Sequence, residues 1–255
     1  MKLKFLRNLF ILGDIGYFNN NLYYTVNNIK NNITLNDAVV LLGDNFYPSG
    51  INSECDPQIF NYYNIFKDIN QPIYSILGNH DYLLNPKAQI NNTNWIMDNF
   101  YYKKEYQNVE LYFIDTVQFN IHTWVTKEKI ENVHRDKISN LIKNQINWLD
   151  YELSKNEKEK IIIGHYPLLT NGYYYDNMNQ LHTLLIDIFK KYKIKTFISG
   201  HEHNIQFIKR IYNDYTFNQI IVGSSAENRN DCDMSDDNDM LDKSDIFYGK
   251  LSFQN

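Results

Sequence analysis

The sequence predicts an α/β fold (α+β in schemes that separate the two), and two observations predict it. Short apolar runs rich in β-branched residues recur along the chain, and helical patterns with a single apolar stripe lie between the later ones. Runs of this kind are expected of strands buried on both faces of a sheet. Strand–helix alternation then places the chemistry on loops at strand ends.

The runs, in order, are Leu9–Leu12, Ala38–Leu42, Ile73–Leu77, Leu111–Ile114, Lys160–Ile163, Thr196–Ile198 and Gln219–Val222. The clearest helix spans about Arg135 to Lys155, where Ile138, Leu141, Ile142, Ile146, Leu149 and Leu153 form one stripe. A second covers about Asn179 to Tyr192, with Leu181, Leu184, Leu185, Ile188 and Phe189. Asn85–Trp95 is polar and turn-rich and reads as a surface loop, while Trp95, Trp124 and Trp148 are expected to pack the core. So little chain follows Tyr248 that an edge strand is expected to be missing. The whole of 1–255 reads as one domain with an acidic variable loop at about 229–245. That loop lacks the sixth-position Gly and twelfth-position Glu of an EF-hand, so a solvated acidic segment is expected instead of a calcium site.

Bulk properties exclude several classes. A hydrophobic content of 43% with 21 Tyr and 15 Phe argues against disorder. At net charge −5 and pI near 5.8 the chain has no basic footprint for duplex nucleic acid. No apolar stretch approaches the ~20 residues of a membrane span. Cys55 and Cys232 are too few for a disulfide scaffold and lie in no Cys-x-x-Cys zinc pattern. Arg7 and Asn8 interrupt the N-terminal apolar stretch, and cleavage there would remove the first strand, so an intact, intracellular N-terminus is expected. The sequons at Asn32 and Asn91 then read as chance matches in an Asn-rich chain.

Five motifs carry the chemistry: Gly13-Asp14-Ile15-Gly16, Gly43-Asp44-Asn45-Phe46-Tyr47, Gly78-Asn79-His80-Asp81, Gly164-His165 and Gly200-His201-Glu202-His203. Each follows an apolar run, where a strand end releases a polar side chain at the rim of a sheet. Two carboxylates, a phenol, an amide and three imidazoles would serve two cations about 3.5–4 Å apart. Asp44 can bridge such a pair, and a Tyr47 phenolate suits Fe(III) better than Zn(II). His80 is better placed beside the ions than on them, where it can protonate a leaving alkoxide. Asp81 is expected to orient His80 or the loop. Any one of these residues, alone, is more often a turn or core residue; three Gly-His junctions at strand ends reverse that preference.

The set resembles the calcineurin-like metallophosphoesterase superfamily and, within it, the low-molecular-weight (tartrate-resistant type) purple acid phosphatases. The discriminating features are Asp-x-Gly at Asp14 and Tyr47 after Asp44, and Gly164-His165-Tyr166-Pro167 also looks like this subfamily. The resemblance implies a four-layer α/β/β/α sandwich. It implies Fe(III) on Asp14, Tyr47 and His203, and a divalent Fe, Zn or Mn on Asn79, His165 and His201, with Asp44 bridging. It further implies hydrolysis of phosphomonoesters, from small phosphorylated substrates to phosphopeptides, by metal-activated hydroxide, in proteins often secreted or vesicular.

The chain departs from the family in the loop after Pro167, which brings the family a second histidine. Here it reads Leu168-Leu169-Thr170-Asn171-Gly172-Tyr173-Tyr174-Tyr175-Asp176, so one of the three tyrosines is expected to line the pocket. His182 falls inside the second helix and reads as structural, as do His122 and His134 outside any motif. The alternatives are a metallophosphodiesterase or nucleotide pyrophosphatase with the same ligands, and a metal-retaining scaffold without turnover.

Overall fold

The computed structural model describes residues 7–119, 135–174, 179–212, 215–227 and 248–253. The acidic segment around 229–245, Cys232, Trp124, His122, His134 and Tyr175 lie outside them.

Two sheets face one another. The first has order β10-β1-β2-β3, formed by Gly249–Phe253, Arg7–Leu12, Ala38–Leu41 and Ile73–Ser75. In it β1, β2 and β3 are parallel and β10 runs antiparallel on the edge. The second has order β4-β5-β6-β7-β9-β8. Its central strands β5 (Val109–Phe113), β6 (Glu159–Ile163), β7 (Thr196–Ser199) and β9 (Tyr215–Val222) are parallel. Its edges, β4 (Tyr102–Tyr106) and β8 (Ile205–Tyr212), are antiparallel.

Alternation of side chains across a strand builds the layers. Leu111, Phe113, Ile161, Ile163 and Ile198 pack toward the four-stranded sheet, in one core with Leu9, Val39 and Leu41. Tyr112, Ile162 and Phe197, one residue out of step, pack instead with Leu149 and Leu153 of α4 (Arg135–Leu153) and Leu181, Leu185 and Phe189 of α5 (Asn179–Lys191). Helices α1 (Asn20–Asn32) and α2 (Pro57–Phe66) form the β1–β2 and β2–β3 crossovers and bury Leu22, Val26, Ile29, Tyr62, Ile65 and Phe66 in the first core. Both helices start on side-chain caps: Asn19 accepts from Leu22 N at 3.1 Å, and Asp56 from Gln58 N at 3.1 Å with Pro57 next. The result is the α/β/β/α layering expected from the sequence, with a one-turn helix α3 (Thr116–Phe119) after β5.

Three expectations need correction. β10 occupies the edge expected to be empty, pairing Gly249–Phe253 with Arg7–Ile11. The Asn85–Trp95 segment is not simply a surface loop. A 3₁₀ turn at Pro86–Gln89 turns Ala88 and Gln89 inward, and buried Trp95 donates its indole N–H to the Gln89 carbonyl at 2.8 Å. Leu141 leaves the core stripe of α4 and is 43% exposed.

Candidate metal centre

Every sequence motif falls just beyond the C-terminal end of a parallel strand. Asp14 follows β1, Asp44 and Tyr47 follow β2, Asn79 and His80 follow β3, His165 follows β6, and His201 and His203 follow β7. The backbone bends sharply to deliver them: Asp14, Asp44, His201 and His203 all have positive φ, at 57°, 52°, 73° and 53°. Asp and His tolerate the left-handed region better than most residues, yet each such position costs on the order of 1–2 kcal/mol. Strain concentrated on four donors is a mark of a functional site. Gly78 permits a close approach to Asp44, since a Cβ there would lie 2.2 Å from Asp44 Oδ1 and 2.3 Å from its backbone N.

The structure brings all seven expected ligands together and divides them into two groups around Asp44. Asp44, His165 and His201 form one buried cluster and Asp14, Asp44 and His203 the other, each with donor atoms within 4.8 Å of one another. Tyr47 belongs to the second, its hydroxyl 3.0 Å from Asp44 Oδ2, 3.3 Å from Asp14 Oδ1 and 3.0 Å from His203 Nε2. Asn79 belongs to the first, with Oδ1 3.0 Å from His165 Nε2.

A hydrogen bond on the far side of one imidazole fixes which nitrogen faces inward. His165 Nδ1 lies 2.8 Å from the Leu42 carbonyl, which can only accept, so Nδ1 carries the proton and Nε2 a lone pair. Burial keeps this ring neutral by lowering its pKa. Its Nε2 lone pair therefore meets two further acceptors, Asn79 Oδ1 at 3.0 Å and Asp44 Oδ1 at 3.6 Å. Three lone pairs aimed at one point suit a cation. His203 is flanked differently: Glu227 Oε2 lies 3.3 Å from Nδ1 as a charge contact, and Nε2 faces Tyr47 at 3.0 Å and Asp14 Oδ1 at 3.5 Å. Burial, then the Asp44 and Asp14 carboxylates, push the Tyr47 hydroxyl well above its ordinary pKa. A bound cation would oppose that field. Oxygen and imidazole donors in this mixture fit iron, zinc or manganese.

His80 stands beside these groups. Its Nδ1 donates to the Pro48 carbonyl at 2.6 Å, its Nε2 lies 4.0 Å from Asp44 Oδ2, and its side chain is 31% exposed. Asp81 orients the loop and not His80: its carboxylate accepts from the backbone N–H of Gly78, Asn45 and Phe46 and from Gln89 Nε2. Of the pocket tyrosines, Tyr174 is buried with its ring 4.2 Å from that of His201, whereas Tyr173 is 69% exposed. His182 bonds to the Tyr212 hydroxyl at 3.0 Å, a structural contact.

Sequence reasoning missed Glu227, which sits in no motif. It also missed Tyr17, 45% exposed with its ring 4.4 Å from that of Tyr47. Position four residues after Gly13 was the only available signal, and tyrosine is too common here to stand out.

A calcineurin-like phosphoesterase family model matches residues 8–204. Purple acid phosphatase 17 of Arabidopsis thaliana is 30% identical over 229 residues, covering 84% of this chain and 66% of the relative. Tartrate-resistant acid phosphatase type 5 of Oryctolagus cuniculus is 27% identical, covering 67% and 56%. The chain thus spans somewhat over half to two-thirds of the length of these relatives. Among solved structures, GAP50, described as the anchor in the inner membrane complex of Plasmodium, shares the fold with a TM-score of 0.73 at 23% identity, over 97% of this chain and 81% of that one. With the family model covering most of its length and its motifs gathered at one sheet rim, this chain belongs to the calcineurin-like phosphoesterase family.

Proposed function

We propose that the chain is a metal-dependent phosphoesterase acting on phosphomonoesters, of purple acid phosphatase type. The observation that carries this reading is the pair of buried donor groups sharing Asp44. Asp14, Tyr47 and His203 would hold Fe(III), and Asn79, His165 and His201 a divalent Fe, Zn or Mn, with Asp44 common to both. When bound, the two ions supply charge neutralisation at the phosphoryl oxygens and lower the pKa of water. The chain's own contribution is orientation and proton transfer. Leu42 holds His165 in a ligand tautomer, and Glu227 sets a carboxylate beside His203 Nδ1. Pro48 anchors His80 through Nδ1, so that Nε2 can deliver a proton to the departing alkoxide and regain one from solvent across its exposed face.

The test is the initial rate on an aryl phosphate after iron reconstitution, wild type against Asp44→Asn, from acid to neutral pH. We expect a loss of at least ~100-fold in the variant, in the range for removal of a key electrostatic group, with circular dichroism unchanged. A metal-loaded wild type no faster than the variant would remove the monoesterase reading. Rates on a diester run in parallel separate a phosphodiesterase. A second reading, a metal-retaining fold used as an anchor, is supported by the likeness to the Plasmodium protein. It predicts bound metal without turnover on either substrate.

A further inference from the structure

A pocket of about 630 Å³ with mixed polar and apolar walls lies where the C-terminal end of α5, the turn into β7 and the adjoining ends of β8 and β9 meet. It is at the opposite end of β7 from His201, and its walls include Lys190, Lys193, Lys195, Ile211, Tyr212 and Tyr215. Its size is within the ~300–1,000 Å³ of small-molecule sites.

Three features set it apart from an ordinary basic surface. Among the described residues, none of Lys190, Lys193 and Lys195 makes an ion pair, although neighbouring Lys191 reaches Asp150 at 2.7 Å. Lys190 instead lies over the Tyr212 ring, 4.7 Å from its centroid. Next, Lys193 has φ 51° at the end of α5. Ile194 N donates to Phe189 O at 2.9 Å and Lys193 N to Lys190 O at 3.2 Å, the two bonds of a Schellman stop with Lys193 where glycine is usual. A strained lysine is thus held at the rim of the cavity, and strain points from structure toward use. Finally, the positive field extends inward: after burial, Lys190 and Arg210 are what lower the pKa of His182 behind Tyr212.

We infer that this cavity binds a compact organic phosphate, with phosphoryl oxygens among the ammonium groups of Lys190, Lys193 and Lys195 and the ligand body against Ile211 and Tyr212. Lysine suits phosphate as a compact charge with three donors. A small ligand is favoured over a polyanion because the chain as a whole carries −5 and the positive charge is local. The site does not depend on catalysis at Asp44.

The experiment is brief labelling of the metal-loaded protein with pyridoxal 5′-phosphate, borohydride trapping and peptide mapping. We expect Lys190, Lys193 and Lys195 to label at least ~10-fold faster than exposed Lys67 and Lys87, and adenosine 5′-(α,β-methylene)diphosphate to suppress that labelling. Lys193→Gly should raise the melting temperature by relieving the left-handed lysine, and should slow labelling of Lys190 and Lys195 at least ~5-fold. Equal labelling of all exposed lysines without protection would overturn the inference. So would a Lys193→Gly protein whose remaining lysines label and are protected as in wild type.

Discussion

His203 reaches its place with φ 53°, its Nε2 facing Asp14 and Tyr47 and its Nδ1 3.3 Å from Glu227 Oε2. Carboxylate partners of metal-binding histidines typically change metal affinity or activity by ~10–100-fold when removed. Under the proposed iron assignment, Glu227→Ala should weaken iron binding by about that factor and shift the visible absorption that a Tyr47 phenolate on Fe(III) would give, whereas Glu227→Gln, which retains an acceptor oxygen, should fall between. A band and an affinity unchanged in both variants would assign Glu227 to the surface only. The seven candidate ligands were legible because each stands beside or soon after a glycine at the end of an apolar run. Glu227 was not, since the fold brings it 24 positions along the chain from His203, without a motif. Tyr174 was legible only as one of three, because packing against His201 and not its residue type selects it.

The elements missed in the sequence share a cause. β4, β8 and β10 are antiparallel edge strands, and their burial alternates or is partial. Strands buried on both faces announce themselves as continuous apolar runs, whereas Tyr102-Lys103-Lys104-Glu105-Tyr106 reads as polar chain. α1, half of it asparagine-rich sequence, depends on burial of Leu22, Val26 and Ile29 more than on helix propensity. Because β10 covers the outer edge of β1, deleting residues 248–255 should expose that edge, lower the melting temperature by several degrees and promote aggregation. An unchanged melting temperature would show β10 to be dispensable. The start of α3 offers a pH prediction. Asp115 caps it, accepting from Val117 N at 3.1 Å and Gln118 N at 3.2 Å, and also accepts from the Tyr82 hydroxyl. Burial raises its pKa from 3.8 to about 7. The folded carboxyl thus keeps its proton where the unfolded one has lost it. Its stabilising contribution is full below pH 3.8 and is lost as pH climbs through 7, a swing of order 4 kcal/mol. Asp115→Asn keeps the cap oxygen and cannot ionise. Its melting temperature should fall less than that of wild type between pH 4 and 7, and parallel pH profiles would refute the assignment.

On the scale of the whole molecule, the candidate centre joins the two sheets. Asp14, Asp44, Tyr47 and Asn79 follow strands of the four-stranded sheet, and His165, His201 and His203 follow strands of the six-stranded one. Elsewhere the sheets meet through apolar packing, in which Leu111, Ile161 and Ile198 face the first sheet. At the rim they meet through donors whose lone pairs face each other at 3.0 Å between Asn79 and His165. Without a cation that Asn79–His165 facing is repulsive, and four left-handed donors add strain to the rim. A bound ion replaces repulsion by attraction and stabilises the native state alone, by RT ln(1 + [M]/Kd), about 4 kcal/mol per ion at a thousandfold excess over Kd. Chelation should therefore lower the melting temperature of the wild-type protein by several degrees, and re-adding iron with zinc or manganese should restore it. Asp44→Asn removes the one charge common to both groups, so the same treatment should move its melting temperature much less. If chelation left wild type and Asp44→Asn equally stable, the cations would be absent from the junction of the sheets, and the apolar core alone would hold them together.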